Sequence, residues 1–194
     1  PPVTGKLRGN GRVRFGREGW TMLGQVHGER LVYEGLEASA PEADVAASER
    51  SVEIRNLVAS AFGGKLTAEA TIEPRRGGEV RAKVAADSLS LDELLKAGGL
   101  STRLDGRGSV EGEISGRMGE PDTLRGTGTF RVVPEEAAAS RGRLGAEASG
   151  EIRLAGLAIT ASAPAARVGA TTAAILAEKT IGRRPLRLKM QISS

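Results

Sequence analysis

The chain has 194 residues, 39% of them apolar and 27% charged, with a net charge of +4, a length that suits one ordinary domain. It has no Cys and one His, His27, which excludes disulfides, thiolate metal sites and any site needing two His ligands, and leaves a His-based triad one possible centre. No GxxxxGK(S/T) loop and no HExxH occurs, no apolar run approaches the roughly 18 residues of a membrane-spanning helix, and the opening Pro1-Pro2-Val3-Thr4 predicts no signal peptide.

Period-two alternation dominates the chain, the mark of half-buried strands. In chain order, strands are predicted around Leu7–Val13, Trp20–His27, Arg30–Glu34, Val52–Ala61, Leu66–Ile72 and Glu79–Ala86. A short helix follows, with Ser90 as cap and Glu93 reaching back in a capping box, Leu94-Leu95-Lys96 as its body and Gly98-Gly99 as its stop. The clearest strand is Leu104–Arg117. Its even positions (Leu104, Gly106, Gly108, Val110, Gly112, Ile114, Gly116) carry no charge, and its odd positions carry nothing apolar. A helix would mix the two sets, whereas a strand puts them on opposite faces. Strands are further predicted at Leu124–Phe130, Leu144–Ala148, Glu151–Ile159 and Leu186–Ile192, with a second short helix at Thr172–Lys179. Ala137–Arg143 fits helix or loop. Turns are marked by Gly63-Gly64, by Pro74 with Gly77-Gly78, and by Gly119-Glu120-Pro121-Asp122.

One design recurs. Leu7–Val13 and Leu104–Val110 read L-x-G-x-G-x-V, Leu124–Phe130 changes only the last position, Leu66–Ile72 replaces both Gly by Ala, and Leu144–Ala148 is a weaker copy. This repetition predicts stacked hairpins in one extended sheet, taken as a single β-rich domain over residues 1–194. The apolar face is thin, because Gly or Ala occupies the strand centres. Gly numbers 27, about twice the usual share of roughly 7%. A strand Gly costs about 0.5–1 kcal/mol relative to Ala and forfeits burial, so it belongs where backbone bends or something approaches closely. Two readings follow: curvature alone, or an open apolar trough that binds an apolar ligand by shape. The second fits a chain with few catalytic groups and few helices to cover the sheet.

Four passages carry a family resemblance. Ala85–Leu95 (AADSLSLDELL) looks like the strand, D-x-L-x-L and short-helix passage of AsmA-like proteins. Leu104–Gly112 and Pro121–Gly128 resemble that family's L-x-G-x-G strands, and Ser60–Leu66 (SAFGGKL) its F-G-G hairpin. The chain therefore resembles the AsmA/TamB superfamily of Gram-negative envelope proteins, well over residues 52–133 and loosely on the flanks. The resemblance implies an elongated, strongly curved antiparallel sheet, groove- or taco-like, with one or two short helices. It implies no enzyme and no cofactor. The expected partners are phospholipid or another acyl lipid and inner- and outer-membrane envelope proteins, with no nucleic acid. The expected place is the periplasm, tethered to the inner membrane through a segment absent from this chain, which would be a segment of a longer protein. The residues expected to line the groove are Leu66, Ile72, Val80, Val84, Leu104, Val110, Ile114, Leu124, Phe130 and Val132. There is no metal site and no catalytic residue in this reading.

A structural or adhesion module such as a β-solenoid, without lipid, is the main alternative. Nucleic-acid binding is suggested by Arg-Gly pairs such as Arg76-Gly77, but the Arg alternate with acids and aromatics are only 3% of the chain. An outer-membrane barrel would need aromatic girdles that one Trp, one Tyr and three Phe do not supply. Among single residues, His27 is expected on a solvated polar face and Trp20 and Phe130 as core plugs. Arg183-Arg184 is expected as a solvated basic turn, and Glu111 and Glu113 as partners of Arg on neighbouring strands.

Overall fold

A computed structural model describes residues 4–17, 19–33, 36–136, 142–181 and 187–192. The chain is mainly β, with one helix among the described residues. In order, the elements are β1 (Thr4–Gly16), β2 (Gly19–Tyr33), β3 (Leu36–Ser48), β4 (Val52–Ala61), β5 (Gly64–Ile72), β6 (Glu79–Ser90), α1 (Leu91–Ala97), β7 (Leu104–Asp105) and β8 (Arg107–Arg117). They continue as β9 (Glu120–Val133), β10 (Leu144–Ala155), β11 (Ala158–Val168), β12 (Thr171–Thr180) and β13 (Arg187–Ile192). Except for β7, each strand pairs antiparallel with its predecessor and successor in the order β1-β2-β3-β4-β5-β6-β8-β9-β10-β11-β12-β13. This is a meander that does not close into a barrel, unlike the parallel coils of a β-helix. The two-residue β7 lies off the path and pairs parallel with Leu144-Gly145 of β10.

Short hairpin loops make this topology local. At the β4–β5 turn Phe62 (φ +50°) and Gly63 (φ +68°) both take positive φ, the signature of a type I′ hairpin whose twist matches the strands it joins. The Phe62 carbonyl accepts a 2.7 Å hydrogen bond from the Ser90 N–H. That bond takes the backbone donor which a capping-box Glu93 would have used. Ser90 still caps α1, its hydroxyl accepting from the Glu93 N–H at 3.4 Å.

Several predicted boundaries are corrected. Thr172–Lys179 is not a helix: it is the body of β12, clasped between β11 and β13. Its Ala, Leu, Glu and Lys suit a helix, but ladders on both sides override that modest preference. Leu104–Arg117 is interrupted at Gly106, which is buried with the Val133 carbonyl 2.9 Å from where a Cβ would stand. Asp105, 4% exposed, accepts the Gly106 N–H at 3.1 Å and anchors the break. The segment Glu151–Ile159 divides into β10 and β11 at a Gly156-Leu157 turn, with Gly156 at φ +60°. Trp20–His27 and Arg30–Glu34 lie on one long strand, β2, as far as Tyr33. Strand β3 was not anticipated, because Ala, Glu, Ser and Pro41 have weak strand preference; pairing with β2 and β4 forms it. The predicted turn at Gly119–Asp122 is shorter, since β9 already starts at Glu120. Most of Ala137–Arg143 and all of Arg183-Arg184 lie outside the described residues.

The sheet has no deep core. Its accessible area is 13088 Å², against about 8,700 Å² for a compact monomer of this mass. The buried apolar residues are Ala47, Ala59, Ala86, Leu89, Ala146, Ala163 and Ala166, and no large side chain among the described residues is fully buried. A two-sheet sandwich would bury a layer of Val, Ile and Leu. Burial here is spread thinly over one sheet.

Candidate functional site: the apolar face

Antiparallel register sorts the side chains into rows. One row runs Ile54–Ala70–Ala82–Ile114–Gly126–Leu154–Ile159 from β4 to β11. Beside it lies Leu57–Ala68–Val84–Gly112–Gly128–Ile152–Ala161. Next comes Leu66–Ala86–Val110–Phe130–Gly150, and on the other flank Val52–Ile72–Val80–Gly116. All four rows share one face, because side chains two apart along a strand point the same way. The face continues through Val45 of β3 and Met22 and Val26 of β2 to Val13 and Gly9 of β1.

Nine of the ten residues expected to line a groove fall on this face: Leu66 and Ile72 of β5, Val80 and Val84 of β6, Val110 and Ile114 of β8, and Leu124, Phe130 and Val132 of β9. Leu104 does not join them; it sits on β7 opposite Leu144. All ten are half-buried. Sequence reasoning missed Val52, Ile54 and Leu57 on β4, and Ile152 and Leu154 on β10. The β10 pair carries the same alternation as β8. On β4 the alternation changes phase at a bulge between Ile54 and Leu57, where Asn56 takes φ +50°.

The glycines on this face face backbone. A Cβ at Gly128 would lie 2.4 Å from the Glu111 carbonyl oxygen and 3.0 Å from Gly112 Cα. At Gly24 the equivalent neighbours are the Asn10 oxygen at 2.4 Å and Gly11 Cα at 3.0 Å. A Cβ at Gly150 would stand 1.9 Å from the Ser162 oxygen and 2.9 Å from the Phe130 ring, so the missing side chain makes room for that ring. An open hollow of about 1140 Å³ crosses β4, β5, β6, β8, β9 and β10, and a second of about 610 Å³ crosses β4, β5, β6, β8 and β9; both are lined mostly by residues of the opposite face, among them Glu69, Lys83, Glu113 and Thr127.

The opposite face is written in charge. Arg55, Glu69, Lys83, Glu113, Thr127 and Arg153 lie side by side on successive strands. Glu113 pairs with Lys83 at 3.2 Å, so its expected partnership is with Lys and not Arg. Glu111 stands opposite Ala85 and Thr129. His27 is exposed and meets Glu42 at 3.4 Å. Asp44 accepts from Asn56 at 2.9 Å and from Gln25 at 3.0 Å, and these bonds, Asn56 first, hold its carboxyl below the usual range. Asp44 thus ties β2 and β4 to β3 beside the β4 bulge.

At one end of the strands, Arg107 collects three elements. It donates to Glu135 at 2.9 Å, to the Ser88 carbonyl at 3.1 Å and to the Gly63 carbonyl at 3.5 Å. Nearby, Asp92 of α1 accepts from Lys96 at 2.7 Å and from Arg143 at 3.2 Å, which hold its carboxyl low. The described residues contain no cluster of three metal-ligating side chains, and no helix among them is long and apolar enough to cross a membrane. Comparison with protein-family models, curated proteins and solved structures finds no match.

Proposed function

We propose that this chain is an AsmA-like envelope module whose sheet curls with the apolar face inside and seats lipid acyl chains along that face. In this reading it contributes to phospholipid transport between inner and outer membranes or to outer-membrane biogenesis, from the periplasm and without catalysis. The supporting observation is the continuous apolar face across β1–β11 in a chain with no deep core to bury it. Glycines that meet neighbouring backbone on that same face support the curl, because strands leaning together leave no space for a Cβ. Binding needs apolar contact alone: each acyl methylene moved out of water contributes about 0.8 kcal/mol. No polar constellation is required, and the headgroup stays in water.

Native mass spectrometry of the purified chain tests this. Co-purified phospholipid is expected, and it should be lost from folded Val110→Asp or Phe130→Asp variants, which place a charge in the central rows. An adduct-free mass together with a compact shape by X-ray scattering overturns the proposal and favours a purely structural module. Lipid retained by both folded variants overturns the assignment of the face.

A further inference from the structure

The first strand differs from the rest of the sheet in charge. Residues 1–17 hold five cations (Lys6, Arg8, Arg12, Arg14, Arg17) and no acid, leaving 23 cations against 24 acids elsewhere. Elsewhere about half of the described cations meet a carboxylate, as in Arg81–Glu79, Lys83–Glu113 and Arg153–Glu151. Among the described residues, Arg8, Arg12, Arg14 and Arg17 have no carboxylate partner. Across the ladder they face His27, Leu23 and Thr21 on β2, with Arg17 in the turn beyond. Arg8, Arg12 and Arg14 share one face of β1, while Leu7, Val13 and Phe15 share the other. Every residue of β1 is exposed. Phe15, 85% exposed, stands opposite Trp20 at the hairpin tip, where Arg14, Arg17 and Arg50, with one acid, Glu49, line a hollow of about 720 Å³.

We propose that β1 and the β1–β2 tip form a docking surface for an anionic phospholipid bilayer. The arginines meet lipid phosphates, and Phe15 with Trp20 enters the interface between them. Such aromatic residues sit at the headgroup level, and each nearby cation raises partitioning by about fivefold. A bilayer fits better than a nucleic acid because the aromatics lie on the face away from Arg8, Arg12 and Arg14. A tip entering edge-on puts both faces into the interface, whereas base stacking needs ring and cation on one surface. Leu23, 67% exposed among these arginines, is likewise suited to an interface and not to a phosphate backbone. The proposal goes beyond acyl-chain seating and rests on the arginines of the opposite face and on the tip pair Phe15 and Trp20, outside the central rows proposed to seat acyl chains.

The test is co-sedimentation of the full chain with phosphatidylglycerol–phosphatidylcholine vesicles and with pure phosphatidylcholine vesicles, at low and high salt. Binding is expected to the anionic vesicles, to fall as salt screens the charges. It should drop a hundredfold or more in a variant with Arg8, Arg12, Arg14 and Arg17 all changed to Gln, and about tenfold in Phe15→Ser. An Arg55→Gln, Arg81→Gln, Arg153→Gln variant removes similar charge from paired positions and should bind within a few-fold of the parent. Equal binding to both vesicle types, or equal losses in the two arginine variants, overturns the proposal. Tighter binding to single-stranded DNA than to anionic vesicles at the same salt also overturns it. Should the four-arginine variant not fold, Phe15→Ser and the salt series decide alone. Loss of vesicle binding with retained co-purified lipid separates this surface from the acyl-binding face.

Discussion

Replacing Gly128 by Ala separates two roles for the strand glycines by the sign of its effect. If glycine were incidental, Ala would stabilise the strand by about 0.5–1 kcal/mol, through the lower entropy of the unfolded chain. At Gly128, however, the new methyl meets the Glu111 carbonyl oxygen at 2.4 Å and Gly112 Cα at 3.0 Å. Both neighbours are backbone on the adjacent strand, so no rotamer change relieves the overlap, and β8 and β9 must separate. Overpacking of this kind costs about 1–3 kcal/mol, which exceeds the entropic gain, so a net loss of about 1–2 kcal/mol is expected. Gly108 on the same face is the control. Its nearest neighbours to a Cβ are the Arg131 and Leu89 oxygens at 3.8 Å, an ordinary contact, so Gly108→Ala should be neutral or stabilising by up to about 1 kcal/mol. Urea unfolding followed by far-UV circular dichroism gives both midpoints, with the slope checking that the exposed area is unchanged. Midpoints shifting in the same direction would refute the idea that glycine spares a backbone collision at Gly128.

Ala40 sits at φ +47° in the β3 bulge and is exposed, so Ala40→Gly removes left-handed strain while losing little packing. A gain of about 1 kcal/mol is expected, read as a higher urea midpoint. The Asp92 carboxyl is held low, first by its bond from Lys96, so its contribution is fully present above its unfolded pKa near 4 and is lost as pH falls through the folded value. Asp92→Asn should therefore flatten the decline in stability below about pH 4, measured by urea midpoints across the acid range. Lys83 lies between Glu69 and Glu113, so Lys83→Glu lines up three like charges and should cost about 1 kcal/mol at low salt, less at high salt. Reversing Glu113 to Lys in the same chain should recover part of that loss in a double-mutant cycle.

Much of the fold was legible because alternation is a strong signal where one face is apolar and the other charged. In β8, Val110, Gly112 and Ile114 against Glu111 and Glu113 leave no helical alternative, and β5, β6 and β9 read similarly. The signal weakened where both faces carry similar residues. Strand β12 has Ala173, Ile175 and Ala177 on one face and Ala174 and Leu176 on the other, a pattern equally suited to a short helix; only the ladders with β11 and β13 decide it. Phase changes were invisible as well. Asn56 and Ser88 bend their strands at positive φ, and nothing local separates them from ordinary polar positions. The apolar-face residues on β5, β6, β8 and β9 were readable as one set by parity. Leu104 falls outside those rows because its register depends on buried Asp105 and on contact with β10, forty residues further along the chain.

A sheet that meanders strictly in chain order is close to one-dimensional, and this governs its stability and its reach. Each hairpin leans on its two neighbours, so stability accumulates strand by strand without passing through a shared centre. That is consistent with a buried set that is six Ala and one Leu. Along the stacking direction, twelve strands at about 4.8 Å extend some 53 Å, while strand length fixes only the width of the apolar face. The distance over which such a face offers continuous apolar contact therefore scales with the number of hairpins and not with the length of any strand. Repetition of the L-x-G-x-G design is the economical route to a longer path. A new hairpin with the same parity extends all the rows at once, and the charged ladder on the other face opposes slips that would turn the apolar set outward.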